Sequence, residues 1–197
     1  MIKTGIFGGS FNPIHNGHLQ LARQLREAAG LDEVWLMVSP QNPLKQQAGL
    51  LADDLRLKLA QKATSGEQGI TVSDYEFHLP RPSYTWNTLR ALTADYPDRQ
   101  FVLMIGGDNW QQFCRWYRAD DILRHYRLVV YPRRDCPVGP VPAGVQVVEA
   151  ELMDISSTDI RRRIRQGRPI TGLVPASIEH DIVAAFGLQP TTTSPDA

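Results

Sequence analysis

Cysteine is scarce in this chain. Its two residues, Cys114 and Cys136, cannot build a disulfide framework, and neither stands in a zinc-ligand spacing. No apolar run reaches the roughly 18 residues that a membrane span requires, so no membrane is expected as a partner. The opening residues, MIKTGIFGGSF, lack the apolar stretch of a secretory signal; the expectation is a cytoplasmic protein with reduced thiols. A surplus of either charge is missing too. Lysine plus arginine number 21 and aspartate plus glutamate 21, which argues against nucleic acid as a partner, because dedicated binders carry a basic surplus or stripe. A neutral total still permits a locally positive phosphate pocket. Two common nucleotide fingerprints are absent as well, since neither G-x-G-x-x-G nor G-x-x-x-x-G-K-[ST] occurs.

What is present is ordinary for a globular protein. The 197 residues are 42% apolar and 21% charged, enough for one α/β domain with a substantial core. Strands are expected at Lys3–Gly8, Glu33–Val38, Ile70–Asp74, Phe101–Ile105, Arg127–Tyr131 and Val145–Glu149. Helices are expected at Asn16–Ala29, Ala52–Thr64, Thr85–Asp95, Thr158–Gln166 and Ala176–Phe186, with short helical pieces through Trp116 and at Asp120–His125. Gly30 stands where a glycine commonly ends a helix. This alternation predicts an α/β fold, a Rossmann-like doubly wound parallel sheet, in a single domain over residues 1–189. The polar, aperiodic tail 190–197 is expected to be disordered.

The segment richest in chemistry is GGSFNPIHNGH, Gly8 to His18. It joins the first strand to the first helix, where open α/β sheets bind phosphates. Gly8 and Gly9 let backbone approach a ligand with no Cβ in the way. Pro13 fixes the loop, and Asn16 is the expected N-cap, with Gly17 and His18 in the first turn. His15 and His18, three apart, can share one side of the helix mouth. Two imidazole donors beside a helix dipole suit a triphosphate whose charge grows during transfer. A zinc site built on the same pair lacks a third ligand nearby in sequence.

Three further segments carry anion chemistry. In ISSTDIRRRIRQG, Ser156 and Asp159 form a capping-box-like start, leaving the amides of Ser157 and Thr158 at a positive helix end. Arg161 lies one turn on and can offer a fork of donors to phosphate. The competing reading is a capped basic helix facing solvent, the expectation for Arg162, Arg163 and Arg165. In RPSYTWNTL, Ser83 or Thr85 could cap the next helix, whose start favours a carboxylate over a neutral carboxamide. An ordinary cap with Tyr84 as packing is the alternative. In IGGDN, Gly106 and Asp108 close the most apolar strand and suit ribose hydroxyls, or else cap the following helix. Arg56 falls on an amphipathic helix, where a surface role is expected, with a contact to phosphate as the alternative.

These segments resemble the H-x-G-H nucleotidyltransferase superfamily. The fuller pattern G-G-[ST]-F-[DN]-P-x-H-x-G-H is similar to that of bacterial nicotinate-mononucleotide adenylyltransferases, and the likeness runs from Gly5 to Ser177. Pantetheine-phosphate relatives usually have threonine where this chain has His15, and many members have aspartate where it has Asn12. The resemblance implies ATP held by Gly8, Gly9, Ser10, Phe11, Gly17, Lys45, Gly106, Asp108, Ser156, Ser157 and Thr158, with His15, His18 and Arg161 as the catalytic groups. It implies a pyridine mononucleotide with its carboxylate at the backbone of Tyr84 and Thr85 and its ring on the indole of Trp116, for which Trp110 and Trp86 are rivals. Stacking on that cationic ring contributes roughly 0.5–2 kcal/mol. The implied reaction joins ATP and nicotinate mononucleotide, as small-molecule partners, into nicotinate adenine dinucleotide and pyrophosphate, with Mg²⁺ carried on the ATP phosphates. Sister transferases acting on nicotinamide mononucleotide or phosphopantetheine are the enzymatic alternatives. A non-catalytic pyridine-nucleotide-binding module would lose the histidines or Arg161, which are intact here.

Overall fold

The two faces of the sheet are set by alternation within single strands. The computed structural model describes residues 1–40, 49–133 and 135–187; Lys45 and the predicted tail 190–197 lie outside the described residues. In chain order they form β1 (Ile2–Gly9), α1 (Asn16–Ala28), β2 (Glu33–Val38), α2 (Asp53–Ala63), β3 (Ile70–Ser73), a 3₁₀ turn (Tyr75–His78) and α3 (Thr85–Asp95). Then follow β4 (Arg99–Gly106), the one-turn α4 (Gly107–Trp110), a 3₁₀ turn (Phe113–Arg115), α5 (Ala119–His125), β5 (Arg127–Tyr131), β6 (Val145–Val147), α6 (Ser157–Arg165) and α7 (Ala176–Gly187). Each predicted strand and long helix is present, with its ends moved by two residues at most.

In β1, Ile6 and its neighbour Phe7 enter different hydrophobic clusters, because successive side chains on a strand point to opposite faces. Phe7, Leu36 and Met104 pack under α1, α2, α6 and α7 through Leu25, Leu59, Ile160 and Ile178. Ile6, Met37 and Leu103 pack under α3 and α5 through Leu89, Leu92 and Ile122. Covered on both sides, the parallel strands are continuous apolar runs, as at Phe101–Ile105. Each fully buried side chain such as Leu25 or Ile122 contributes about 1.5–3 kcal/mol relative to exposure.

All strands are parallel, in the order β3-β2-β1-β4-β5-β6. β1 lies between β2 and β4, with Phe7 opposite Leu36 on one side and Met104 on the other. The winding direction reverses between β1 and β4. At such a switch point the connections leave to opposite faces and open a crevice beyond the strands' C-terminal ends. The doubly wound expectation holds in full.

Candidate active site

A crevice of about 1320 Å³ occupies that position. It is lined by Gly8–Phe11, His15, Gly17 and His18 after β1, by Tyr84 and Thr85 at the start of α3, and by Gly106 and Asp108 at the end of β4. Trp116, Ser156–Thr158 and Arg161 complete the set. Every predicted site residue among those described therefore shares one cavity.

The loop after β1 brings the two imidazoles face to face. Their ring centroids are 3.6 Å apart with planes inclined by 24°. His15, not Asn16, is the N-cap of α1: its backbone is extended (φ −149°, ψ 169°), and its amide donates to Nδ1 of His18 at 3.2 Å. Asn16 is already helical and spends its carboxamide on the carbonyl of Gly172 at 2.9 Å. Because Nδ1 of His18 accepts that bond, the neutral ring carries its proton on Nε2. His15 is buried, with no hydrogen bond from Nδ1 to any described residue. Burial first, and then the nearby Arg133 guanidinium, lower its pKa to about 4, so it is neutral near pH 7. A Cβ at Gly17 would crowd the His15 ring, at 3.1 Å. A Cβ at Gly8 would instead meet nothing within 4 Å.

The second motif comes from the far end of the chain and locks onto the first. Ser156 caps α6, its hydroxyl accepting from the Asp159 amide at 3.1 Å. The Ser157 hydroxyl donates to the carbonyl of Pro13 at 2.9 Å, and Nη1 of Arg161 donates to that of Asn12 at 2.6 Å. Arg162 and Arg163 pair with Asp159, as expected for the outer face. The starts of α6 and α1 thus line one crevice, and the positive end of a helix favours anions.

Arg56 overturns its expectation. It is 0% exposed, and donates to the carbonyls of Leu51 (3.1 Å), Ser10 (2.5 Å) and Ser39 (3.0 Å) and to Asp53 (2.5 Å). The carbonyls left open where β1 and β2 end demand a donor, and the long side chain of α2 supplies it. Asn12 works beside it. Its Nδ2 donates to Gly49 and its Oδ1 accepts from the Leu51 amide, so both ends of a carboxamide are in use.

At α3 neither Ser83 nor Thr85 caps the helix. Tyr84 is the N-cap and makes no side-chain capping bond, while the buried Ser83 hydroxyl has no hydrogen-bond partner among the described residues. Of the three candidate tryptophans, Trp116 lines the crevice, whereas Trp86 is buried in the first turn of α3 and Trp110 stacks on Phe113. Sequence reasoning missed two neighbours. Tyr117 lies against Tyr84 with centroids 5.1 Å apart, both rings exposed at the crevice. Arg133 lies 3.4 Å from Asp108 and lines the same cavity. Its signal was available: PRR follows β5 just as GGD follows β4, at the strand ends where sites of this fold lie.

Strand order, switch-point crevice and two helix starts carrying imidazole and guanidinium groups define a nucleotide-binding α/β protein of the doubly wound class. The chain belongs to the cytidylyltransferase-like family, whose model matches residues 6–163. It is 52% identical over 170 residues to a protein of Bacteroides fragilis named "Probable nicotinate-nucleotide adenylyltransferase", covering 85% of each chain. A protein of Cytophaga hutchinsonii with the same name is 43% identical over 93% of this chain and 96% of its own. Among solved structures, Plasmodium falciparum nicotinic acid mononucleotide adenylyltransferase complexed with NaAD shares the fold, with a TM-score of 0.77 at 17% identity over 95% of this chain and 97% of that one.

Proposed function

We propose that this chain transfers the adenylyl group of ATP to the phosphate of nicotinate mononucleotide, forming nicotinate adenine dinucleotide and releasing pyrophosphate. One observation carries the reading. His15 and His18 from the first helix and Arg161 from the sixth line a single crevice, tied together by the Arg161–Asn12 hydrogen bond. The names of the relatives support the choice of substrates.

The acceptor phosphate would attack the α-phosphorus directly as the bond to pyrophosphate breaks. Such a transfer asks the protein for position and charge compensation more than for covalent chemistry. His18, with its proton on Nε2, would donate to a triphosphate oxygen. Arg161 and Arg133 would offset the charge that gathers on the leaving pyrophosphate, together with the starts of α1 and α6. The ring of the acceptor would lie against Trp116 with its carboxylate near the start of α3, and Asp108 would take a ribose hydroxyl. Lys45 would add a further cation near the phosphates.

Mg²⁺ would enter on the phosphates of ATP. Among the described residues no three His, Cys, Asp or Glu side chains gather into a cage, while Asp108 offers a carboxylate in the crevice. That donor set fits an ion that keeps most of its waters and takes few protein ligands. When bound, the ion would offset phosphate charge. Pyrophosphate release with ATP and each of nicotinate mononucleotide, nicotinamide mononucleotide and phosphopantetheine tests the reading. The first acceptor should turn over fastest, and a faster rate with either of the others would replace it.

A further inference from the structure

Between β6 and α6 the chain borders the crevice as an irregular segment, residues 149–155. Ala150 and Ile155 pack against the core near its two ends. Between them Leu152 and Met153 are 41% and 40% exposed, and both line the crevice. Two large apolar side chains held side by side at a ligand cavity suit an apolar part of the ligand. In ATP that part is the base.

Helix α1 meets this segment at two points. Near its start, a Cβ on Gly17 would lie 3.7 Å from the Cβ of Met153. Two turns on, and so on the same face of the helix, the half-buried Gln24 holds the backbone of Glu151. Its Nε2 donates to the Glu151 carbonyl at 3.2 Å, and its Oε1 accepts from the Glu151 amide at 2.8 Å. One carboxamide thus meets both backbone groups of a single residue, as a neighbouring strand in an antiparallel sheet does. Ala150 and Leu152, on either side of the clamped residue, line the crevice. Gln24 has no part in the reaction described above.

We propose that Gln24 is a positioning residue for the donor nucleotide: its grip on Glu151 holds Leu152 and Met153 in place against the base of ATP. This rests on the reading that ATP occupies the crevice. The helix that presents His15 and His18 to the triphosphate then also fixes the wall that takes the base, so both ends of the donor are registered on one rigid element. Without the clamp the segment keeps its anchors at Ala150 and Ile155 but samples other paths between them. Only the fraction in the held arrangement binds ATP well, and the apparent affinity falls by that fraction. The acceptor side, at the start of α3 and Trp116, stands on other elements and is untouched.

The test is steady-state kinetics with nicotinate mononucleotide, joined to equilibrium dialysis of ATP without acceptor. Gln24→Met keeps the stem and the helix propensity but neither hydrogen bond. In that variant KM for ATP should rise about fivefold or more, and the dissociation constant for ATP with it. KM for the mononucleotide and kcat at saturating ATP should stay within about twofold of the wild type. Gln24→Glu keeps the acceptor for the Glu151 amide but sets a carboxylate against the Glu151 carbonyl; it should show the same shift, and it decides if Gln24→Met does not fold. Leu152→Ser leaves the clamp intact and should raise KM for ATP about threefold or more through the lost apolar contact. A purely structural Gln24 would lower the melting temperature with KM for ATP unmoved, or raise both KM values together. Either result overturns the proposal, as does an unaltered KM for ATP in Leu152→Ser. Wild-type protein that binds no ATP sinks the donor reading itself.

Discussion

Nη1 of Arg56, wholly buried on α2, donates to the carbonyl of Ser10, 46 residues earlier in the loop that lines the crevice. The same guanidinium holds the carbonyl of Ser39 at the end of β2 and shares Asp53 with Arg81, just ahead of the PSYT segment. One cation thus fixes the strand ends on which the phosphate loop stands. Removing one partner of such a buried network leaves the rest uncompensated, at a cost of roughly 3–5 kcal/mol. Arg56→Met should lower the unfolding free energy by about that amount in urea titrations. A loss below about 1 kcal/mol, the value typical of exposed pairs, would show the network to be idle.

His18→Ala should cut turnover by roughly 10²–10³-fold, the scale for losing one preorganised donor to a developing anion. The fold should persist, because the acceptor for the His15 amide and the ring contact with His15 lie at the edge of the core, and a lost cap costs about 1 kcal/mol. Circular dichroism and steady-state kinetics on the same sample check both halves. Wild-type turnover would remove His18 from the chemistry.

The stability of the protein should carry the signature of His15. The ring titrates at about 4 in the folded chain against 6.5 when unfolded. Above pH 6.5 both states are neutral and the group adds no pH dependence. Between 6.5 and 4 the unfolded chain takes up the proton that the folded chain refuses, so stability falls with pH, by roughly 3 kcal/mol when complete. Denaturation curves of the wild type and His15→Gln should therefore diverge below pH 6.5. Parallel curves down to pH 4 would mean that the ring is solvated.

Arg161→Lys keeps the charge and loses the fork. An ammonium can still reach one oxygen but cannot hold the Asn12 carbonyl and a phosphate in the same planar arrangement. Turnover should drop at least tenfold with little change in melting temperature. Full activity would reduce the role of Arg161 to charge alone.

Trp116→Ala should raise KM for the pyridine nucleotide by about 2- to 30-fold, the equivalent of roughly 0.5–2 kcal/mol of stacking on a cationic ring. KM for ATP should stay put. An equal rise for both substrates would point to collapse of the Phe113–Trp116 packing instead.

Most of the fold was readable before any coordinates, since strands buried on both faces and helices with one apolar stripe leave periodic marks. The phosphate loop and the capped start of α6 were readable for the same reason: local backbone geometry dictates glycine, Ser156 and the His15–His18 spacing. Arg56 was not. Its helix is only weakly amphipathic, and the packing of α2 against the ends of β1 and β2 is what makes the arginine a buried clamp. Glu76 escaped notice likewise, because a lone glutamate on a short turn has no distinctive spacing.

By itself the sequence determined which elements form, their alternation, and which segments bear anion-binding chemistry, because each of these follows from neighbours within a few residues along the chain. Only the tertiary structure decided that segments some 150 residues apart share one crevice, that His15 is neutral, and that Arg56 and Glu76 are buried. Those properties depend on strand order and on what surrounds a group in space, and a charge loses its water only when distant parts of the chain close over it.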